Sequence, residues 1–151
     1  MTNYVFKSII GNIELVSSKN RITAVLRTRK KPNKTKDKLL RGSALQIKMY
    51  LASRRRSLNF PTKQIGTKFQ KRVWDYLQKI PYGKTTTYGD IAKKLRTSPR
   101  AVGGALGRNN LMISVPCHRV VGSDGTLTGF TSVGGLNTKK NLLSIEQKTI
   151  K

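Results

Sequence analysis

The chain reads as an α+β protein, in which a small N-terminal antiparallel sheet with one helix precedes a C-terminal unit built around a helix-turn-helix. Three observations predict this. Short apolar runs near the start are punctuated by Gly11-Asn12 and Lys19-Asn20, the rhythm of a three-stranded meander. Apolar residues then recur at helical intervals in two longer stretches, within 40–52 and 67–80, as an amphipathic helix requires. Further on, Ser98-Pro99 follows a short amphipathic stretch and supplies the N-cap and first-turn proline with which the second helix of a tight pair begins.

Taken in order, Tyr4 to Ile10, Ile13 to Ser17 and Ile22 to Leu26 are the expected strands. The run Arg27-Thr28-Arg29-Lys30-Lys31-Pro32-Asn33-Lys34-Thr35-Lys36 has no apolar period and is expected to be a solvated loop. Leu40, Leu45, Met49 and Leu51, with Ala44 and Ala52, suggest one amphipathic helix ended by Arg54-Arg55-Arg56, whose charge suits the negative end of a helix dipole. Residues 58–66 read as a linker, dividing the chain into units 1–60 and 61–151.

The second unit is better punctuated. Thr67 and Gln70 stand at capping-box spacing, and Phe69, Val73, Trp74, Leu77 and Ile80 fall on one helical face before Pro81-Tyr82-Gly83 closes it. Trp74 sits on that stripe, which favours core packing over stacking on a base. Tyr88, Ile91, Ala92 and Leu95 mark the first helix of the pair, and Pro99 to about Arg108 the second. This second helix holds Gly103, Gly104 and Gly107. A glycine weakens a helix by about 1 kcal/mol relative to alanine, so the glycines imply close approach of another surface, either DNA or a neighbouring helix. Leu111-Met112-Ile113-Ser114-Val115 reads as a buried extended run, Gly122-Ser123-Asp124-Gly125 as a turn, and Gly129 to Gly135 as a small-residue loop before a last helix near Thr138.

Composition bounds the function. Thirty-one Lys and Arg against six Asp and Glu give a net charge of +25, a field that draws polyanions, nucleic acid first among them. One cysteine and one histidine cannot make an intrachain disulfide or an ordinary zinc shell. No apolar run approaches the roughly 18 residues of a membrane span, and Met1-Thr2-Asn3-Tyr4 does not open a signal peptide. A cytoplasmic, nucleoid-associated monomer without cofactor, metal or membrane partner is expected.

The chemistry concentrates at Val115-Pro116-Cys117-His118-Arg119-Val120-Val121. A thiol attacks as thiolate, and a free one with a pKa near ~8.5 is only slightly ionised at neutral pH. His118 and Arg119 stand beside it as helpers. Equally, a lone cysteine in an apolar stretch can be an inert small hydrophobe. On an extended strand, adjacent side chains face opposite ways, so His118 would reach the sulfur only through a water or a bend.

These residues carry a resemblance. Pro116-Cys117-His118-Arg119-Val120 resembles the hallmark of the O6-alkylguanine-DNA alkyltransferases, and Arg100-Ala101-Val102-Gly103-Gly104-Ala105 with Asn109 is similar to that family's DNA-reading helix and hinge. Gly66 to Trp74, Ile80 to Gly83 and Tyr88 to Ala92 are similar too, so the likeness covers residues 60 to 146. The resemblance implies a ribonuclease H-like N-terminal domain and a winged-helix-like C-terminal domain that flips a base out of double-stranded DNA containing O6-alkylguanine. It further implies irreversible, single-turnover transfer of the alkyl group to Cys117. His118 would act as base through a water, Glu146 would orient it, and Tyr88 would donate to the departing guanine. Arg100 would fill the vacated stack, with Ala101, Gly103 and Gly104 lying against the minor groove. The carbonyls of Cys117 and Val120, the Ser132 backbone and Lys139 would meet the substrate. Two other readings stand beside it: a non-catalytic alkyltransferase-like lesion-binding protein, a class that lacks the cysteine, and a cysteine hydrolase.

Overall fold

A computed structural model describes residues 1–125 and 135–150. Strands β1 (Thr2–Phe6), β2 (Ile13–Ser18) and β3 (Arg21–Arg27) form an antiparallel sheet in that order. The α+β class and the meander agree with the sequence. β1 starts earlier and stops at Phe6, short of the expected Ile10, because Ser8 to Gly11 form a turn closed by a hydrogen bond from Gly11 N to Ser8 O. The β2–β3 hairpin turns through Lys19 and Asn20, both left-handed at φ 50° and 61°, as a two-residue hairpin with right-handed strand twist demands.

The basic loop is anchored at several points: Asn12 Nδ2 donates to Lys30 O at 3.1 Å and Lys30 Nζ to Glu14 Oε2 at 3.0 Å. Asn33 accepts from Val5 N through Oδ1 at 2.7 Å and donates its own N–H to Val5 O at 3.0 Å, satisfying backbone groups on the outer edge of β1. Helix α1 (Lys38–Leu51) follows, N-capped by Asp37, which accepts from Leu40 N. Its buried stripe is Leu40, Ser43, Ala44, Ile47, Tyr50 and Leu51. Leu45, expected on that stripe, is 59% exposed. It lies one position past Ala44, about 100° round the helix, and turns away from the sheet.

The segment read as a linker is docked rather than loose. Ile22 N donates to Pro61 O and Lys63 N to Ile22 O, while Val25 N donates to Asn110 O and Met112 N to Val25 O. The free edge of β3 therefore receives two segments from the second half of the chain, and one hydrophobic core runs from Ile13, Leu15 and Ile47 through to Trp74, Val102 and Leu142.

Helix α2 (Lys68–Leu77) begins with the expected reciprocal capping box of Thr67 and Gln70. Trp74 is buried and its Nε1–H donates to Ala105 O at 2.9 Å, so it packs in the core. β4 (Thr86–Thr87) leads into α3 (Tyr88–Leu95), which ends on a left-handed Arg96, and Ser98 caps α4 (Pro99–Leu106) by accepting from Ala101 N. These are the two helices of the predicted pair. β4 pairs in parallel with β5 (Val120–Val121), and α5 (Gly135–Ile150) completes the described elements. α5 begins earlier than the expected Thr138. The 122–125 turn is present, closed from Gly125 N to Gly122 O. Among the described residues no helix is long and apolar enough to cross a membrane.

Candidate active site

The approach to Cys117 differs from the expected extended run. Residues 111–115 are mostly buried but fold back on themselves, with Val115 N donating to Leu111 O and Ser114 N to Met112 O. Ile113 turns the chain at φ 73°, a conformation that costs a β-branched residue on the order of 1–3 kcal/mol. Cys117 to Arg119 then form one turn of 3-10 helix. The premise of a strand at the thiol therefore fails, and side chains of consecutive residues there are not alternately faced.

This folded loop brings Asn109 under the sulfur. Its Nδ2 donates to Cys117 Sγ at 2.6 Å and to Val115 O at 2.9 Å, while Oδ1 accepts from Leu111 N at 2.9 Å. One amide thus fixes both the loop and the thiol. Cys117 is 7% exposed, and its Sγ also lies 3.9 Å from Leu106 O. Burial pushes the thiol up to about 12, against the Asn109 hydrogen bond and the nearby Lys139 charge, which favour the thiolate.

Behind the turn stands Glu146, fully buried. Its Oε2 accepts from His118 Nε2 at 2.7 Å, from Arg119 Nη2 at 2.9 Å and from the Tyr50 hydroxyl. Its Oε1 accepts from Arg119 Nε at 2.9 Å and Gly83 N at 3.1 Å. Burial alone would favour the neutral acid, but the donors from His118, Arg119 and Tyr50 hold the carboxyl well below the usual carboxylate range. An ionised carboxylate only accepts, so the proton between it and His118 sits on Nε2 and the Nδ1 lone pair is left open. Nδ1 is buried and makes no hydrogen bond among the described residues. Burial also lowers the His118 pKa, opposed by Glu146, so the imidazole is neutral and able to take a proton.

Arg119 was expected beside the thiol. Instead its guanidinium grips Glu146 and donates from Nη1 to Ile80 O at 2.8 Å. It lies 5.8 Å from the Tyr82 ring, and Arg56 lies 5.4 Å from the same ring. Tyr50, Gly83 and the orientation of Arg119 were not found from the sequence. They come from elements far apart in the chain, and a tyrosine on a helical stripe gives no sign of what its hydroxyl touches.

The remaining predicted residues lie on different elements, and Tyr88 opens α3 half-buried. Lys139 is buried on α5, with Nζ 5.9 Å from the Tyr88 ring centroid; burial lowers its pKa to about 8, while the charge of Cys117 raises it. Val120 donates its N–H to Cys117 O and pairs with Thr86. On α4, Arg100 and Gly104 are exposed and Ala101 and Gly103 half-buried, whereas Val102 and Ala105 face the core. A Cβ on Gly103 would meet Tyr88 at 4.0 Å, and one on Gly104 would meet nothing within 4 Å. Ser132 lies outside the described residues, as does most of the 129–135 loop. A cleft of about 340 Å³ lined by Tyr50, Arg56, Ser114 and Arg119 does not include Cys117 in its lining.

Comparison with known proteins adds a separate line of support. The family model described as 6-O-methylguanine DNA methyltransferase, DNA binding domain, matches residues 68–148. The chain is 43% identical over 114 residues to the inducible Methylated-DNA--protein-cysteine methyltransferase of Bacillus subtilis, covering 74% of this chain and 63% of that protein's length. It is 45% identical over 112 residues to the Methylated-DNA--protein-cysteine methyltransferase of Methanosarcina acetivorans, covering 73% and 70%. The fold superposes on Mycobacterium tuberculosis OGT, solved in complex with DNA, with a TM-score of 0.86 and 35% identity, covering 97% of this chain and 93% of that one. A family match over more than half the chain, joined to a buried thiol and a polarised histidine in the matched region, leads to one conclusion: the chain belongs to the methylated-DNA–protein-cysteine methyltransferase family.

Proposed function

We propose that this protein repairs DNA by moving the alkyl group of O6-alkylguanine in a duplex to Cys117, once per molecule, and that it works as a monomer docked on the minor groove. The observation that carries the reading is the arrangement around one sulfur: Asn109 fixes Sγ, and Glu146 holds His118 with Nε2–H toward the carboxylate. The Nδ1 lone pair is then the base, acting on the thiol through a water. The thiolate attacks the alkyl carbon, a soft electrophile; the S–C bond forms as the C–O6 bond breaks. The electron pair of that bond stays with guanine, which takes up a proton donated by Tyr88, and the thiol proton makes good that loss by way of His118. The sum is alkylguanine plus thiol giving guanine plus thioether.

Reaching O6 requires the base to leave the stack, at a cost of a few kcal/mol. α4 supplies the docking surface: its exposed Gly104 and half-buried Gly103 and Ala101 offer little side-chain bulk, and the exposed Arg100 fills the gap left by the base. The +25 charge supplies non-specific attraction to the backbone. Because the chain has one cysteine, no second thiol in it can take the group away again.

The reading is tested with a duplex carrying a labelled methyl on guanine O6. Cys117→Ser is expected to bind duplex with wild-type affinity and to acquire no label, whereas Arg100→Ala should lose activity on duplex far more than on the free modified base. Label on the Cys117→Ser protein, or equal loss on both substrates for Arg100→Ala, would overturn the assigned roles.

A further inference from the structure

The N-terminal sheet and α1 have no part in the reaction as described so far, yet α1 sends one side chain into the buried cluster. Tyr50 is 1% exposed. Its hydroxyl donates to Glu146 Oε2, the same oxygen that accepts from His118 Nε2, and lies 3.4 Å from that nitrogen. The ring is held edge-on against Tyr82, with centroids 5.9 Å apart. We propose that Tyr50 is a positioning residue of the alkyl transfer, whose hydroxyl pins Glu146 Oε2 so that the carboxylate holds His118 as the Nε2–H tautomer without drawing a second proton onto the imidazole.

The physical logic is a division of one negative charge among donors. A carboxylate bonded to Nε2–H alone favours imidazolium. Each further donor on the same oxygens takes up part of that charge and weakens the pull. Among the described residues, the charged and titratable groups at His118 or its partners are Tyr50 from α1, Tyr82 from the turn after α2, which packs on Tyr50 and Arg119, Cys117 and Arg119 from its own turn, and Lys139 and Glu146 from α5. Glu146 alone among them draws a proton onto the ring, and Arg119 and Lys139 oppose it. Tyr50 is the member of this set that can touch both Glu146 and His118 while remaining a neutral donor, since burial and the Glu146 charge raise its own pKa. Without the hydroxyl, Glu146 pulls harder and His118 holds a proton to higher pH, where it cannot serve as base.

This proposal rests on the repair reading, and its test separates the two. His118 is the only histidine, so the nitrogen-15 NMR spectrum of histidine-labelled, DNA-free protein reports one imidazole. In Tyr50→Phe, which keeps the ring and its packing, that imidazole should titrate at higher pH than in the wild type. The alkyl-transfer rate should fall about tenfold on the acid side of neutrality and recover as pH rises, the size expected for losing one hydrogen bond to a charged group. The number of alkyl groups finally taken up should be unchanged. In the wild type, a slowly exchanging Tyr50 hydroxyl proton should show cross-relaxation to the His118 Nε2 proton, a readout that does not depend on any variant folding. Identical imidazole titrations and superimposable rate profiles in the two proteins, or no such cross-relaxation, would overturn the proposal. An imidazole shift in a protein that takes up no alkyl group would instead remove the repair reading, and with it the reaction Tyr50 is said to serve.

Discussion

At Cys117, burial favours the thiol while the Lys139 ammonium and the Asn109 amide favour the thiolate. Raising the pH acts on these in opposite senses. Below its pKa the thiolate population grows about tenfold per pH unit, but near pH 8 Lys139 sheds its proton and stops assisting. The rate of S-methylation of the free protein by a small reagent such as methyl iodide should therefore rise with pH and bend to a shallower slope near pH 8. In Lys139→Gln the bend should vanish and the rate at pH 7 should fall about tenfold, the effect of raising the thiol pKa by roughly one unit. A bend that persists in the variant would assign it to another group. At this scale the sequence pointed to Cys117 and His118 through their types and adjacency, and to Asn109 through the family resemblance. It could not expose the grip of Tyr50 and Arg119 on Glu146, because those contacts join residues 96 and 27 positions apart.

Helix α4 shows what an element can reveal beyond its residues. Its inner face is Val102 and Ala105, and Gly104 looks into open space. A neighbouring helix, one of the two surfaces the glycines implied, does not press on Gly104 among the described residues. Gly104→Ala should therefore stabilise the free protein by about 1 kcal/mol, because helix propensity improves and no clash arises. The same methyl should weaken binding to duplex DNA about tenfold, since a well-packed surface pays for an added methyl at that level. Thermal melting and a binding titration read the two signs independently; unchanged or tighter DNA binding would remove α4 from the interface. α2, α3 and α4 were legible because caps and apolar stripes agree with each other. The stretch 111–115 was not, since a short apolar run looks the same whether it is a strand or a buried turn, and its left-handed Ile113 leaves no mark in the pattern.

Across the whole molecule the two halves are joined more tightly than a linker suggests. β3 offers its edge to residues 61–63 and 110–112, and the second of these segments leads from Asn109 to Cys117. The sheet thus braces the loop that carries Cys117, and α1 reaches the histidine behind it. The meander could be read from its turns. Its docking could not, because bridges such as Val25 to Leu111 join residues with no pattern linking them. In the proposed function the +25 charge would work at this scale too, since a strongly basic surface is attracted to duplex without reading sequence. In the proposed function the outcome at a lesion is decided at the Cys117 sulfur. The direct measurement is the intact mass of the protein after incubation with a saturating excess of duplex containing O6-methylguanine. The account predicts a gain of one methylene per molecule, carried by the peptide containing Cys117, with no further turnover. An unchanged mass, or continued release of repaired guanine beyond one per protein, would contradict it.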